Sequence, residues 1–213
     1  MKFALASDIH LEFGDIELNN TEGADVLVLS GDICIAKDLA FIDSERSQKW
    51  IKFFQHCSEQ FKNVIYVMGN HEHYHGDFAK SYGQLYGVLS RFLNIHVMEK
   101  AFITIDGVTF ICGTLWTDMN KEDPQTLYGI KGYMNDYRII EDSANPVHYR
   151  DADGNFHVRT GKFSPEQSVT EHKAMLKLID EVTANMPNKK FVVVGHHAPS
   201  KLSTKPKYQN DTM

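Results

Sequence analysis

The chain has 213 residues, 42% of them hydrophobic, with three cysteines and a formal charge of −6. That length suits one domain with a substantial core, and the acidic balance gives no electrostatic footprint for DNA or RNA, so nucleic acid enters only as a possible substrate. Cys34, Cys57 and Cys112 are far apart and form no CxxC pair, so neither a disulfide framework nor a zinc ribbon is suggested and a reducing compartment fits best.

The N-terminal MKFALAS imitates a secretory leader, but its apolar stretch runs only from Phe3 to Ala6 and Asp8 interrupts it. It therefore reads as a first β-strand. ADVLVLS is the second, apolar throughout as in strands buried on both faces. Trp50, Phe53, Phe54, Cys57 and Phe61 then recur at helical spacing and predict a helix beginning near Ser44. NVIYVM is the third strand, and a helix is expected from about Asp77 to Leu93. IHVM follows, then FITI and VTFIC, which Asp106-Gly107 joins as a tight hairpin turn. A two-residue turn forces an antiparallel pair, so the sheet content is mixed and the fold class is layered α/β.

Residues 117–162 are polar, turn-rich and poorly periodic, and read as an insertion or lid within a single domain spanning 1–213. DADGN, between VHYR and FHVR, resembles a calcium loop only superficially. Its glycine is fourth rather than sixth and no Glu follows in register, so a hairpin turn is the expectation. Ser164-Pro165-Glu166-Gln167 supplies an N-cap, a first-turn proline and a capping-box glutamine for a helix to about Asn185. FVVV is the last strand. No run approaches the ~20 apolar residues of a membrane span, so no membrane partner and a cytoplasmic location are expected.

The chemistry gathers at strand ends. SDIH, SGD, GNHE and GHH each close a predicted strand, and in α/β sheets the carboxyl ends of strands are where ligands bind. Asp8, His10, Asp32, Asn70 and His196 would meet there as a mixed O/N donor set of the kind that holds Mn, Fe or Zn. Asp8 and His10 can chelate one ion, Asp32 has two oxygens with which to bridge two, and Asn70 adds a neutral carbonyl oxygen that limits negative charge facing an anionic substrate. No GxSxG elbow, GxxxxGK[ST] loop or GxGxxG turn competes.

DIH, GDI, GNHE and HHAP, in this order, resemble the calcineurin-like metallophosphoesterases over nearly the whole chain. DIHLEF, GTLWTD and MNDYRII also resemble a bacterial and phage branch of that family. The resemblance implies a four-layer αββα sandwich, two mixed sheets flanked by helices, carrying two divalent metal ions. It implies that Asp8 and His10 hold the first ion, that Asp32 bridges, and that Asn70 and His196 hold the second. His71 would act on substrate, and phosphate esters, diesters or nucleotides foremost, would be hydrolysed by attack of metal-bound hydroxide. A non-catalytic metal-binding module of the same fold and a nuclease are the alternatives.

Glu72 is expected to accept a hydrogen bond from a neighbouring ring, and His73 and His75 to lie on a loop or pocket rim. Trp116, Tyr137, Arg138 and His197 are candidate substrate contacts, Arg138 because its fork suits a pair of phosphate oxygens. The family's C-terminal GHxH element has no counterpart in this sequence. His56, His96, His148, His157 and His172 lack its spacing, so an incomplete ligand set and an exposed edge on the second sheet are expected.

Overall fold

The apolar runs at 26–30 and 63–67 become strands because the sheet they enter is covered on both faces there. The computed structural model describes residues 1–187 and 189–206. β1 (Phe3–Ala6), β2 (Val26–Ser30), β3 (Asn63–Val67) and β4 (Ile95–Met98) lie side by side in that order, each neighbouring pair parallel. Parallel neighbours need crossovers: residues 7–25 join β1 to β2 as a loop, α1 (Ala36–Ala40) and α2 (Glu45–Gln60) lie between β2 and β3, and α3 (Phe78–Leu89) lies between β3 and β4.

α2 begins where expected. The Ser44 side chain accepts from the Ser47 amide, and Trp50, Phe53, Phe54 and Cys57 are buried along one face. α3 is capped by Asp77 but ends at Leu89, not Leu93. The chain has to turn early, because Ile95 must arrive beside Val64 in the sheet.

A second sheet has the order β5 (Ala101–Ile105), β6 (Val108–Cys112), β9 (Lys190–Val194), antiparallel across the first pair and parallel across the second. Asp106 and Gly107, at φ 47° and 79°, make the tight turn of its hairpin. The two sheets face each other: Val26, Val28, Ile65 and Val67 pack against Ile105, Phe110, Cys112 and Val194. Behind the first sheet, Leu27, Leu29 and Tyr66 meet Trp50, Phe54 and Leu85 of the helices. Behind the second, Ile111 and Phe191 meet Met175 and Val182 of α7 (Pro165–Asn185). The layers run helix, sheet, sheet, helix, as the resemblance implied. α7 opens with the expected capping box between Ser164 and Gln167.

The segment 117–162 is more regular than its sequence suggests. It holds α4 (Met119–Glu122), α5 (Pro124–Tyr133), α6 (Asp136–Ile139) and a hairpin of β7 (Glu141–Arg150) and β8 (Phe156–Lys162). Such short helices leave too few turns for periodicity to register. DADGN is the hairpin turn: Asp151 Oδ1 accepts from the amides of Asp153 and Asn155, and Gly154 sits at φ 86°. No helix among the described residues is long and apolar enough to cross a membrane.

Candidate metal centre

Asp8 and His10 follow β1, Asp32 follows β2, Asn70 follows β3 and His196 follows β9, so loops from both sheets converge. The loop after β1 is laced to the loop after β2. Backbone amides of Asp8, His10 and Leu11 donate to the carbonyls of Gly31, Asp32 and Ile33. That lacing holds Asp8, His10 and Asp32 in the left-handed region, at φ 54°, 52° and 55°. Non-glycine residues persist there only when their surroundings over-determine them, which is common at functional sites. Two glycines permit the close approach: a Cβ on Gly31 would stand 2.4 Å from His196 Nδ1, and one on Gly69 2.2 Å from Asp32 Oδ1.

Asp32 is buried and divides its oxygens. Oδ2 lies 3.8 Å from His10 Nε2, whereas Oδ1 lies 3.4 Å from His196 Nε2 and accepts the His71 amide at 2.9 Å. Burial pushes this carboxyl up, but the hydrogen bond and charge of His196 and the His71 amide outweigh it and hold it below its usual range. His196 donates Nδ1–H to the Ser30 carbonyl at 2.9 Å, which leaves Nε2 facing Asp32 and, at 3.3 Å, Asn70 Oδ1. Burial lowers its pKa, yet Asp32 and Ser30 raise it to about 9. A place that holds a proton this firmly favours positive charge, which is what a cation site requires.

Asn70 is oriented from a distance. Its Nδ2 donates to Asp136 Oδ1 at 2.9 Å and to Tyr74 Oη at 3.2 Å, while Tyr74 donates to the same Asp136 oxygen at 2.7 Å. The amide oxygen is thereby left toward His196. Asp136 belongs to α6, so the 117–162 segment reaches the site through a buried carboxylate.

His71 stands beside the donor set. Its Nδ1 lies 3.1 Å from Glu12 Oε1, and its ring stacks on Tyr74 at 4.0 Å. Glu72 differs from expectation, since among the described residues it accepts from no imidazole ring. Its carboxylate takes the amides of Asp32, Ile33 and Gly69 and the Tyr66 hydroxyl, tying the loops after β2 and β3 together. Burial pushes its pKa up, helped by the charge of Asp32.

His73 is not on a rim: it is 1% exposed, between the rings of Phe78 and Trp116. Neither ring nitrogen has a partner among the described residues, and burial lowers its pKa to about 3. His75 is exposed, as expected of a loop.

Trp116, a candidate contact, is core, packed against Phe163 and stacked on His197 at 5.1 Å. His197 itself lies with Nδ1 3.4 Å from the Thr114 carbonyl, and lines a cavity with Lys121 and Lys201. Tyr137 bonds Ser168 at 3.1 Å, and Arg138 is exposed with its guanidinium on Asn135.

Glu12, Tyr74 and Asp136 escaped sequence reasoning. Glu12 lies in DIHLEF, Tyr74 just past GNHE and Asp136 in MNDYRII, but nothing local links Glu12 to His71 or Asp136 to Asn70. Among the described residues, Asp8, His10 and Asp32 form one group compact enough to hold an ion, and His10, Glu12 and His71 another.

Residues 1–212 match the family model described as calcineurin-like phosphoesterase. The chain is 27% identical over 207 residues to an uncharacterized protein of Acanthamoeba polyphaga mimivirus. That match covers 91% of this chain and 66% of the relative, so the chain spans just under two thirds of the relative's length. Among solved structures, phosphopantetheinyl hydrolase from Mycobacterium tuberculosis is similar in fold, with a TM-score of 0.60 at 14% identity over 92% of this chain and 68% of that one.

Proposed function

Because the chain belongs to the calcineurin-like phosphoesterase family, we propose that it hydrolyses phosphate esters at two divalent metal ions, with small-molecule diesters or nucleotides as substrates. The observation that carries the dinuclear reading is the division of Asp32, one oxygen toward His10 and the other toward His196. Asp8, His10 and Asp32 would hold one ion, and Asp32, Asn70 and His196 the other. Their mixture of carboxylate, amide and imidazole donors suits Mn, Fe or Zn.

Metal ions held there would supply positive charge that lowers the pKa of a water toward neutrality and offsets the charge of the phosphate oxygens. The chain's own residues do the rest. Tyr74 and Asp136 keep the Asn70 oxygen turned inward. Glu72 locks the Asp32 and Gly69 backbones at a fixed separation. His71, adjacent to the donor set but tied to Glu12, would meet a substrate oxygen. The formal charge of −6 favours a small ester over a nucleic acid.

Elemental analysis tests this first, followed by an ester panel with added manganese. The panel holds an aryl phosphodiester, an aryl monoester, nucleotides and a phosphopantetheinyl conjugate, the last taken from the structural neighbour's name. Hydrolysis that a chelator abolishes is expected. Absence of both bound metal and turnover on every ester would overturn the reading.

A further inference from the structure

Glu12 lies two residues beyond His10, and its side chain is 7% exposed. Its Oε1 stands 3.1 Å from His10 Nδ1 and 3.1 Å from His71 Nδ1. Its Oε2 is buried and has no partner among the described residues. A carboxylate oxygen in that condition is unfavourable, and an apolar side chain of similar size would avoid it. Packing alone gives no reason for an acid here.

We infer that Glu12 is a positioning residue of the centre: by accepting Nδ1–H from His10 and His71 on one oxygen, it fixes both rings in the tautomer that leaves Nε2 free, His10 for a metal ion and His71 for substrate. The inference rests on the functional reading above and deepens it. Three further observations support it. With Nδ1 engaged, the His10 nitrogen nearest Asp32 is Nε2, 3.8 Å from Oδ2. The His71 ring is confined on two sides, stacked on Tyr74 at an interplanar angle of 25° and met edge-on by His10 at 4.4 Å. His196 follows the same arrangement, its Nδ1 tied to Ser30 and its Nε2 turned inward. Ligating histidines commonly have the second nitrogen held by an oxygen, which sets tautomer and ring orientation. What distinguishes this site is that one oxygen serves two rings with different tasks. Losing it should disturb metal binding and the substrate-side group together.

The test uses the full chain and its variants Glu12→Leu, Glu12→Gln, His71→Ala and the double variant Glu12→Leu/His71→Ala. In metal-free wild type, nitrogen-15 resonances of the His10 and His71 rings should report Nδ1–H on both, and Glu12→Leu should mix tautomers. Nε2–H on either wild-type ring overturns the proposal, a readout that stands even where a variant fails to fold. With manganese and an aryl phosphodiester, Glu12→Leu should lose roughly 10- to 100-fold in kcat with KM changed by no more than about twofold. Glu12→Gln should recover most of that, because its amide oxygen can still accept both bonds. The double variant should lose less than the product of the two single losses.

A lowered melting temperature with normal kcat in Glu12→Leu would leave a purely structural role and overturn the proposal, as would strictly multiplicative losses. So would the loss of one whole ion at saturating manganese, because Glu12 would then be a ligand alongside His10 and His71. Wild type that cleaves no ester yet carries both Nδ1–H tautomers would sink the proposed activity while supporting the positioning role.

Discussion

Asp32 is the residue on which the two halves of the proposed centre would depend, because each of its oxygens faces a different imidazole. Asp32→Asn should therefore lower metal content more than Asp8→Asn, and reduce turnover by at least about 100-fold. Elemental analysis of both variants checks this, and full occupancy in Asp32→Asn would refute it. On the proposed function, His71→Ala should leave metal content unchanged and lose about 10²- to 10⁴-fold in kcat, as a group acting on substrate would. His73 makes a separate prediction about acid stability. Its folded pKa of about 3 lies below the ~6.5 of an exposed ring, so the unfolded chain binds the proton first as pH falls. Stability should drop by about 1.4 kcal/mol per pH unit from this residue alone between those values. His73→Leu should flatten the decline in melting temperature between pH 6.5 and 4, and an unchanged slope would show that the ring titrates normally.

Among the elements, the short helix α6 matters out of proportion to its length, because Asp136 carries the hydrogen bonds that orient Asn70. Asp136→Ala should weaken manganese binding by about 10- to 100-fold while leaving the strands intact, measurable by calorimetric titration beside circular dichroism. α4 is unusual in another way: Met119, Asn120, Lys121 and Glu122 all have positive φ, between 49° and 61°. A left-handed turn costs about 1–2 kcal/mol per residue for side chains with a Cβ. Lys121 is exposed, so Lys121→Gly removes that strain with little lost packing. A gain of about 1 kcal/mol is expected, raising the melting temperature by about 2–4 °C. A fall in melting temperature would mean that the lysine stem stabilises the turn.

At the scale of the molecule, the two sheets do not match in width. Among the described residues, four strands form the first and three the second. Phe3 and Leu5 pair in register with Val26 and Val28, whose side chains fill the space between the sheets. Yet they are 54% and 69% exposed, since the described strands of the second sheet do not extend over β1. Strand β1, at the edge of the first sheet, thus presents an exposed apolar face. Leu5→Lys should leave stability within about 0.5 kcal/mol and reduce concentration-dependent light scattering. Equal scattering from both proteins would show that this edge does not drive association.

Much of this arrangement was legible in the residues themselves. Strands announced themselves by unbroken apolar runs, α2 by the spacing of Trp50, Phe53, Phe54 and Cys57, and α7 by the Ser164 and Gln167 box, because these signals act over a few residues. Asp8, His10, Asp32, Asn70 and His196 were legible for the same reason, each placed just after such a run. What the chain order could not disclose are bonds between residues distant in sequence. Glu12 meets His71 and Asp136 meets Asn70 only after loops from several strands converge. His73 looks like its neighbours His71 and His75 in the sequence but is buried among Phe78, Trp116 and Phe163, and only packing decides that. The left-handed turn at Met119–Glu122 is likewise unmarked, since none of its residues favours positive φ except Asn120. Local propensity and periodicity determine which segments are strands and helices. Tautomers, carboxylate sharing and the burial of a single imidazole depend on distances that exist only in the folded chain.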